Sequence, residues 1–230
     1  MDTSVIDAIK RWPDVPAAWG WLSLSCRGEW RLHPLGDAAR GGAGESIRNT
    51  QIIGFINRNY VSDNQGRWLF QNGPQKVYVR LDSTPFILQL QRPQRADATD
   101  PNLNPSNQKS DTQTSSPFIT HNRITISSID AWYVDQDGHV YACTDKGIGR
   151  VDDRDLLGLT SLLKTPLGQS LDDLWPTLAH SVGLFETHHS LMLNDTVNPS
   201  LRQPRRLFIV DTVDTLAKQL GFIRNPTQDA

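Results

Sequence analysis

Cysteine is scarce in this chain of 230 residues: only Cys26 and Cys143 occur, too few for the disulfide framework of a small secreted fold. Two reduced, half-buried thiols are expected instead. Long hydrophobic runs are missing as well. Stretches such as Leu207-Phe208-Ile209-Val210 fall far short of the roughly 20 residues that span a bilayer, so no membrane partner is expected. The stretch Met1-Asp2-Thr3-Ser4-Val5-Ile6-Asp7 has neither a basic n-region nor an apolar h-region. No secretory signal is read there, and a cytoplasmic location is the expectation. Nor is there a surplus of either charge: 23 basic against 25 acidic side chains give a formal net charge of -2, which argues against duplex DNA as the main partner. What is present is ordinary globular composition, 37% hydrophobic and 21% charged, in a chain long enough for one large core or two small ones.

Periodicity then divides the chain. Val5, Ile6, Ile9 and Trp12 recur at helical spacing until Pro13 and Pro16 stop them. From Trp19 the period becomes two, predicting a strand to Arg27, a turn at Arg27-Gly28-Glu29 and a return strand from Trp30 to Leu32. Four glycines between Gly36 and Gly44 predict a loop, and Asn49 is placed to cap a helix whose apolar stripe is Ile52, Ile53, Phe55, Ile56 and Tyr60. Three strands follow, Arg67–Gln71, Lys76–Leu81 and Phe86–Leu90. With no helix between them they are expected to form an antiparallel meander. Between Pro93 and Ser116 the composition turns to Pro, Asn, Gln, Ser, Thr and Asp, and a disordered polar insertion is expected there. Beyond it come a strand from Ile124 towards Val134, an Asp-Gly hairpin at Asp135–Gly138 returning through His139–Cys143, and a hairpin-to-helix turn at Gly147-Ile148-Gly149. Helices capped by Asp152 or Asp153, around Leu171–Val182, and over Thr212–Leu220 ending at Gly221, with a strand at Arg206–Val210, complete the pattern.

The two halves echo one another. Ile47, four residues, then Ile52-Ile53-Gly54-Phe55 matches Val151, four residues, then Leu156-Leu157-Gly158-Leu159, as a repeated supersecondary unit would. The expected architecture is α+β: a β-rich lobe with a packed helix over residues 1–92, the polar insertion 93–116, and a second α+β lobe over 117–230, built from antiparallel strands and repeated hairpin-loop-helix motifs.

A set of spaced residues carries a further likeness: Gly28-Glu29-Trp30, Glu45-Ser46-Ile47-Arg48, Phe55, Asp63-Asn64-Gln65-Gly66-Arg67-Trp68, Val77-Tyr78-Val79 and Thr84-Pro85-Phe86. Over Trp21 to Leu90 this pattern resembles the domain-of-unknown-function 1285 family and its proteobacterial relatives, in spacing rather than identity. The resemblance implies two β-rich lobes with repeated motifs and a link to ligand sensing or signalling. It implies no established reaction and carries over no functional residue.

Chemistry is sparse. Nucleophilic catalysis needs a thiol or hydroxyl within hydrogen-bond reach of a His that a carboxylate orients. Cys143 with His139 or His121 and Asp145, and Cys26 with His33, are the candidates, but His139 and Cys143 on one strand lie roughly 13 Å apart. His180, His188 and His189 with Glu186 or Asp195 lack ligand spacing, so neither a metal nor any other cofactor is expected. Gly147-Ile148-Gly149-Arg150 is followed by Asp152-Asp153, which would repel a phosphate, and Gly41-Gly42-Ala43-Gly44 lacks the Lys-Ser/Thr of a nucleotide loop. The tryptophans, with basic runs at Arg92–Arg95 and Arg202–Arg206, raise single-stranded nucleic-acid binding, but Trp21, Trp30 and Trp68 sit where strands bury indoles. The preferred reading is a binding module for a small molecule or protein, regulatory or signal-related, with no covalent chemistry. Its candidate ligand-binding residues are Arg48, Arg58, Gln71, Asn72 and Arg150. A Cys143-dependent hydrolase or transferase and a single-stranded nucleic-acid binder stand as alternatives.

Overall fold

The structure, a computed structural model, describes residues 1–91, 117–178, 185–194 and 198–228. The predicted insertion 93–116, the basic run Arg92–Arg95, His180 and Asp195 lie outside the described residues. Helix α1 (Thr3–Arg11) leads into a hairpin of β1 (Ala18–Leu24) and β2 (Trp30–Leu32), followed by the short edge strand β3 (Glu45–Ser46). Helix α2 (Thr50–Arg58) then crosses to β4 (Tyr60–Ser62), β5 (Trp68–Asn72) and β6 (Gln75–Leu81). Asn49 caps α2 as expected, its side chain accepting from Gln51 N and Ile52 N, which satisfies two amides that have no partner within the helix. The sheet order is β3-β2-β1-β6-β5-β4, and β6 runs parallel to β1, with Ala18 opposite Val77 and Leu24 opposite Leu81.

The second sheet begins with β7 (Phe86–Leu90) and β8 (Phe118–Thr120), and continues with β9 (Ile129–Asp135), β10 (Val140–Thr144) and β11 (Gly147–Val151). Helix α3 (Leu156–Leu162), strand β12 (Leu163–Lys164) and helix α4 (Leu171–Leu178) follow, then β13 (Phe185–Leu193), β14 (Arg205–Val210) and helix α5 (Val213–Leu220). Its order is β12-β13-β14-β9-β10-β11-β7-β8, and β14 runs parallel to β9. Each sheet therefore contains a run of three strands, a helix and three more strands, with the last beside and parallel to the first; the second sheet adds β7 and β8 at one edge and α4 between β12 and β13. The paired sequence patterns fall on matching elements: Ile47 and Val151 at the exit from β3 and β11, the apolar run in α2 and α3.

Three hairpins share one turn chemistry. Ser25 Oγ accepts from Arg27 N and Glu29 N, Asp63 Oδ1 from Gln65 N and Arg67 N, and Asp135 Oδ1 from Asp137 N and His139 N. Each turn closes on a glycine with positive φ: Gly28 at 78°, Gly66 at 76° and Gly138 at 81°. That left-handed geometry costs glycine little and other residues much.

The sheets meet across a buried aromatic cluster. Trp30 and Tyr60 of the first sheet pack edge to face on His121, which also contacts Phe86 of β7. The carboxy-terminal segment ties them from another side: Ile223 N donates to Gly66 O, Leu81 N to Arg224 O, and Arg224 Nη2 to Asp82 O at 2.7 Å. One cluster of buried residues runs through both sheets, from Leu22 and Trp30 to Trp132 and Leu207.

Several expectations are corrected. The meander consists of β4, β5 and β6; Phe86–Leu90 leaves it and lies between β11 and β8. Its fully buried Ile87 and Leu88 fit a strand covered on both faces. Tyr60, read as the end of the helical stripe, opens β4. Gly147–Val151 is a strand rather than a turn, and Gly149 lies so close to Leu88 that a β-carbon would come within 2.6 Å of its side chain. Ile124–Ser128 precedes β9 without joining it, and β13 was not foreseen. The sheets are mixed, with the parallel pairs β1/β6, β7/β11 and β9/β14, where antiparallel strands were expected. Trp30 is buried as expected, whereas Trp21 is 46% exposed.

Candidate functional site

On the face of the first sheet that carries α2, an open apolar groove of ≈ 460 Å³ lies between helix and strands. Leu22 of β1, Leu32 of β2, Val77 of β6 and Phe70 of β5 form its floor, Ile52 and Ile56 of α2 one wall, and Trp21, Ile47, Asn72 and Gln75 its rim. The register explains the convergence: Leu22 pairs with Leu32, and Phe70 with Val77, so these side chains emerge on one face. Helix α2 turns Ile52 and Ile56 to the same side, four residues apart. Trp21, Leu32 and Ile52 remain 46%, 44% and 49% exposed. The volume falls in the range of small-ligand sites, and the lining has their apolar character with a few polar groups at the edge.

On the opposite face of β1, Ser23 Oγ lies 2.8 Å from His33 Nε2, and His33 Nδ1 lies 3.1 Å from Asp37 Oδ1. The order hydroxyl, imidazole, carboxylate is that of a nucleophilic relay. Both Ser23 and His33 are 0% exposed, and a β-carbon on Gly44 would stand 2.7 Å from His33 Nε2. A substrate carbonyl has no approach. The relay instead fastens the loop 37–44 to the sheet, together with Arg80 Nη1, which donates to Ala38 O and Gly42 O. The sequence pairs His33 with Cys26, and no local signal along β1 singles out Ser23 instead.

Cys143 has no histidine hydrogen-bonded to it among the described residues, and burial, aided by the charge of Asp130, pushes its thiol up. His139 is engaged elsewhere, its Nδ1 2.9 Å from Asp135 Oδ2. Asp135, Asp137 and His139 form a compact acid-imidazole group. Asp135 already accepts from two backbone amides, His139 and the Tyr141 hydroxyl, which uses the lone pairs a cation would need. His188 and His189 are neighbours on β13, where successive side chains diverge. His121 is buried, accepts from Ile87 N at Nδ1 and, among the described residues, has no partner at Nε2. Burial lowers its pKa to about 3, so the ring is neutral.

The five candidate binding residues are dispersed. Asn72 lies on the groove rim, and Arg48 is exposed next to the rim residue Ile47. Gln71 is buried, its Nε2 donating to Gly73 O. Arg58 pairs with Asp2 of the amino-terminal segment. Arg150 sits in the second sheet, 2.6 Å from Asp153. The groove residues Leu32 and Ile52 escaped the sequence reading because each sits in an apolar pattern that reads as core.

A family model described as Protein of unknown function (DUF2946) matches residues 1–227. The chain belongs to this family. Among solved structures, a DUF1285 family protein from Shewanella baltica OS155 is similar at 12% identity and a TM-score of 0.37, over 61% of this chain and 90% of that one. A second DUF1285 family protein, from Silicibacter pomeroyi DSS-3, is similar at 13% identity and a TM-score of 0.41, over 68% of this chain and 76% of that one. Both carry the family name that the spacing of Gly28 to Phe86 suggested. No curated protein matches the chain. Among the described residues, no helix is long and apolar enough to cross a membrane.

Proposed function

We propose that this DUF2946 chain is a binding module that acts without covalent chemistry, and that its binding site is the groove between α2 and the first sheet. One observation carries the reading: Trp21, Leu32 and Ile52, each about half exposed, converge on one cavity rather than being scattered. Apolar surface gathered in a concave site marks binding more often than chance exposure does. The two sheets are copies of one unit, an assignment supported by their matching strand orders and by the paired sequence patterns at α2 and α3. The thiol-hydrolase alternative loses support from the raised Cys143 thiol, since the thiolate is the reactive form. The nucleic-acid alternative loses support from Trp30, which is buried, and from Trp68, whose ring packs on Tyr60 and Phe86.

The test is a fluorescence titration with 8-anilinonaphthalene-1-sulfonate, whose aromatic rings seek apolar surface while its sulfonate stays in water. The full chain is expected to bind it saturably, and Ile52→Glu, which sets a charge on the apolar wall, to weaken binding by about tenfold or more. Equal binding by both proteins would place the probe, and the function, elsewhere.

A further inference from the structure

The two sheets treat one corner of their common plan differently. In the second sheet the connection from β13 to β14 runs through residues 194–204. Within it Leu201 is only 3% exposed, and its carbonyl accepts from Leu193 N at the end of β13. Asn198 Nδ2 donates to Ser127 O on the segment that leads into β9, and on that segment Ile126 is fully buried. Asn194 N donates to Leu162 O at the end of α3. Leu201 and Ile126 thus both join the buried cluster where the start of β9, the end of β13 and the end of α3 come together.

In the first sheet the matching corner lies at the start of β1, the end of β5 and α2. There the β5–β6 connection is only the tight turn Asn72-Gly73-Pro74-Gln75, with Asn72 paired to Gln75. The segment leading into β1 is held there by Gln75 Nε2, which donates to Pro16 O. The groove opens at this corner, with Ala18, Asn72 and Gln75 among its lining residues.

Resting on the reading of this groove as the binding site, we infer that its occupant is a loop or chain end of another protein that inserts a leucine-type side chain, as Leu201 does in the second sheet. The chemistry of the lining favours a peptide. None of the lining residues carries a charge, so nothing in the lining would hold a phosphate or an anionic headgroup. The Asn72 side-chain amide stands at the rim, where it matches the donors and acceptors of a peptide backbone; the neighbouring Gln75 amide already donates to Pro16 O. The second sheet's plug is held by such groups, a backbone hydrogen bond at Leu193 and an amide at Asn198.

The probe is the capped heptapeptide Asn-Pro-Ser-Leu-Arg-Gln-Pro, the sequence of residues 198–204, added to the full chain while the Trp21 indole and Ile52 methyl NMR signals are followed. Both signals are expected to shift saturably, and the peptide to displace 8-anilinonaphthalene-1-sulfonate. Replacing its leucine by alanine is expected to weaken binding by about tenfold or more, the scale of one buried aliphatic side chain. Ile52→Glu, confirmed as folded by circular dichroism, should lose both ligands. If the dye binds in the groove but the peptide neither shifts the two signals nor displaces it, the peptide assignment is overturned and the groove reading survives. If neither ligand binds, both fall. Equal binding by the alanine peptide also overturns the assignment, because the inserted side chain would then contribute nothing.

Discussion

The first and second sheets are laid out in the same order, yet they finish their cores differently. In the second, Leu171, Leu174 and Leu178 of α4 and Leu201 of the β13–β14 loop are all buried, and a smaller pocket of ≈ 280 Å³ remains between α3, α4 and strands β9 and β10. In the first, tight turns replace those excursions, and Ile52 and Leu32 face outward over an open groove. A shared plan thus does not fix a shared surface. The length of the connections bears on how much of an apolar face is consumed internally and how much is left open.

The contrast can be broken or sharpened by substitution. The largest effect is expected for Leu201→Ala, about 2–5 kcal/mol in chemical denaturation, as for other large-to-small changes in cores; a loss under about 1 kcal/mol would mean that the second corner is not plugged. Ser23→Ala leaves the buried His33 Nε2 without its partner and should cost about 1–3 kcal/mol, while binding of 8-anilinonaphthalene-1-sulfonate stays unchanged because Ser23 is not in the groove lining.

The junction between the sheets adds a pH dependence. Above pH 6.5 His121 is neutral in both the folded and unfolded chain. Below it, the unfolded chain takes up a proton that the buried ring refuses until about pH 3. Stability should therefore fall by about 1.4 kcal/mol per pH unit across that window through this group. The difference between the full chain and His121→Gln isolates the contribution; identical pH profiles would remove it. Asn49→Ala, which deletes the cap of α2, should cost about 1 kcal/mol by thermal unfolding. The smallest loss, under about 1 kcal/mol, is expected for Ile52→Ala on the open wall of the groove.

Local elements were legible where a turn residue met a period. Asn49 announced α2, Asp135-Gln136-Asp137-Gly138 its hairpin, and Thr212 and Gly221 the ends of α5. Pairings between distant strands were not, because nothing local to Ala18–Leu24 or Gln75–Leu81 says that these segments lie parallel. Phe86–Leu90 was misplaced for a related reason: a short apolar run says that it is buried but not in which sheet. β13 was hidden by its histidines, which drew attention as possible ligands, although Thr187, Leu191 and Leu193 are buried along it. The groove was illegible for the deepest reason. Ile52 and Leu32 look like core in sequence, and nothing local to either residue says whether a distant segment covers it.

The corner at the start of β9 holds the buried Leu201, while its counterpart at the start of β1 is open. Methyl NMR of the full chain during titration with 8-anilinonaphthalene-1-sulfonate reports on both at once. A saturable shift of the Ile52 methyl signals is expected while those of Leu201 stay in place; an unmoved Ile52, or a Leu201 that shifts with it, would mean that the two corners do not differ in this way.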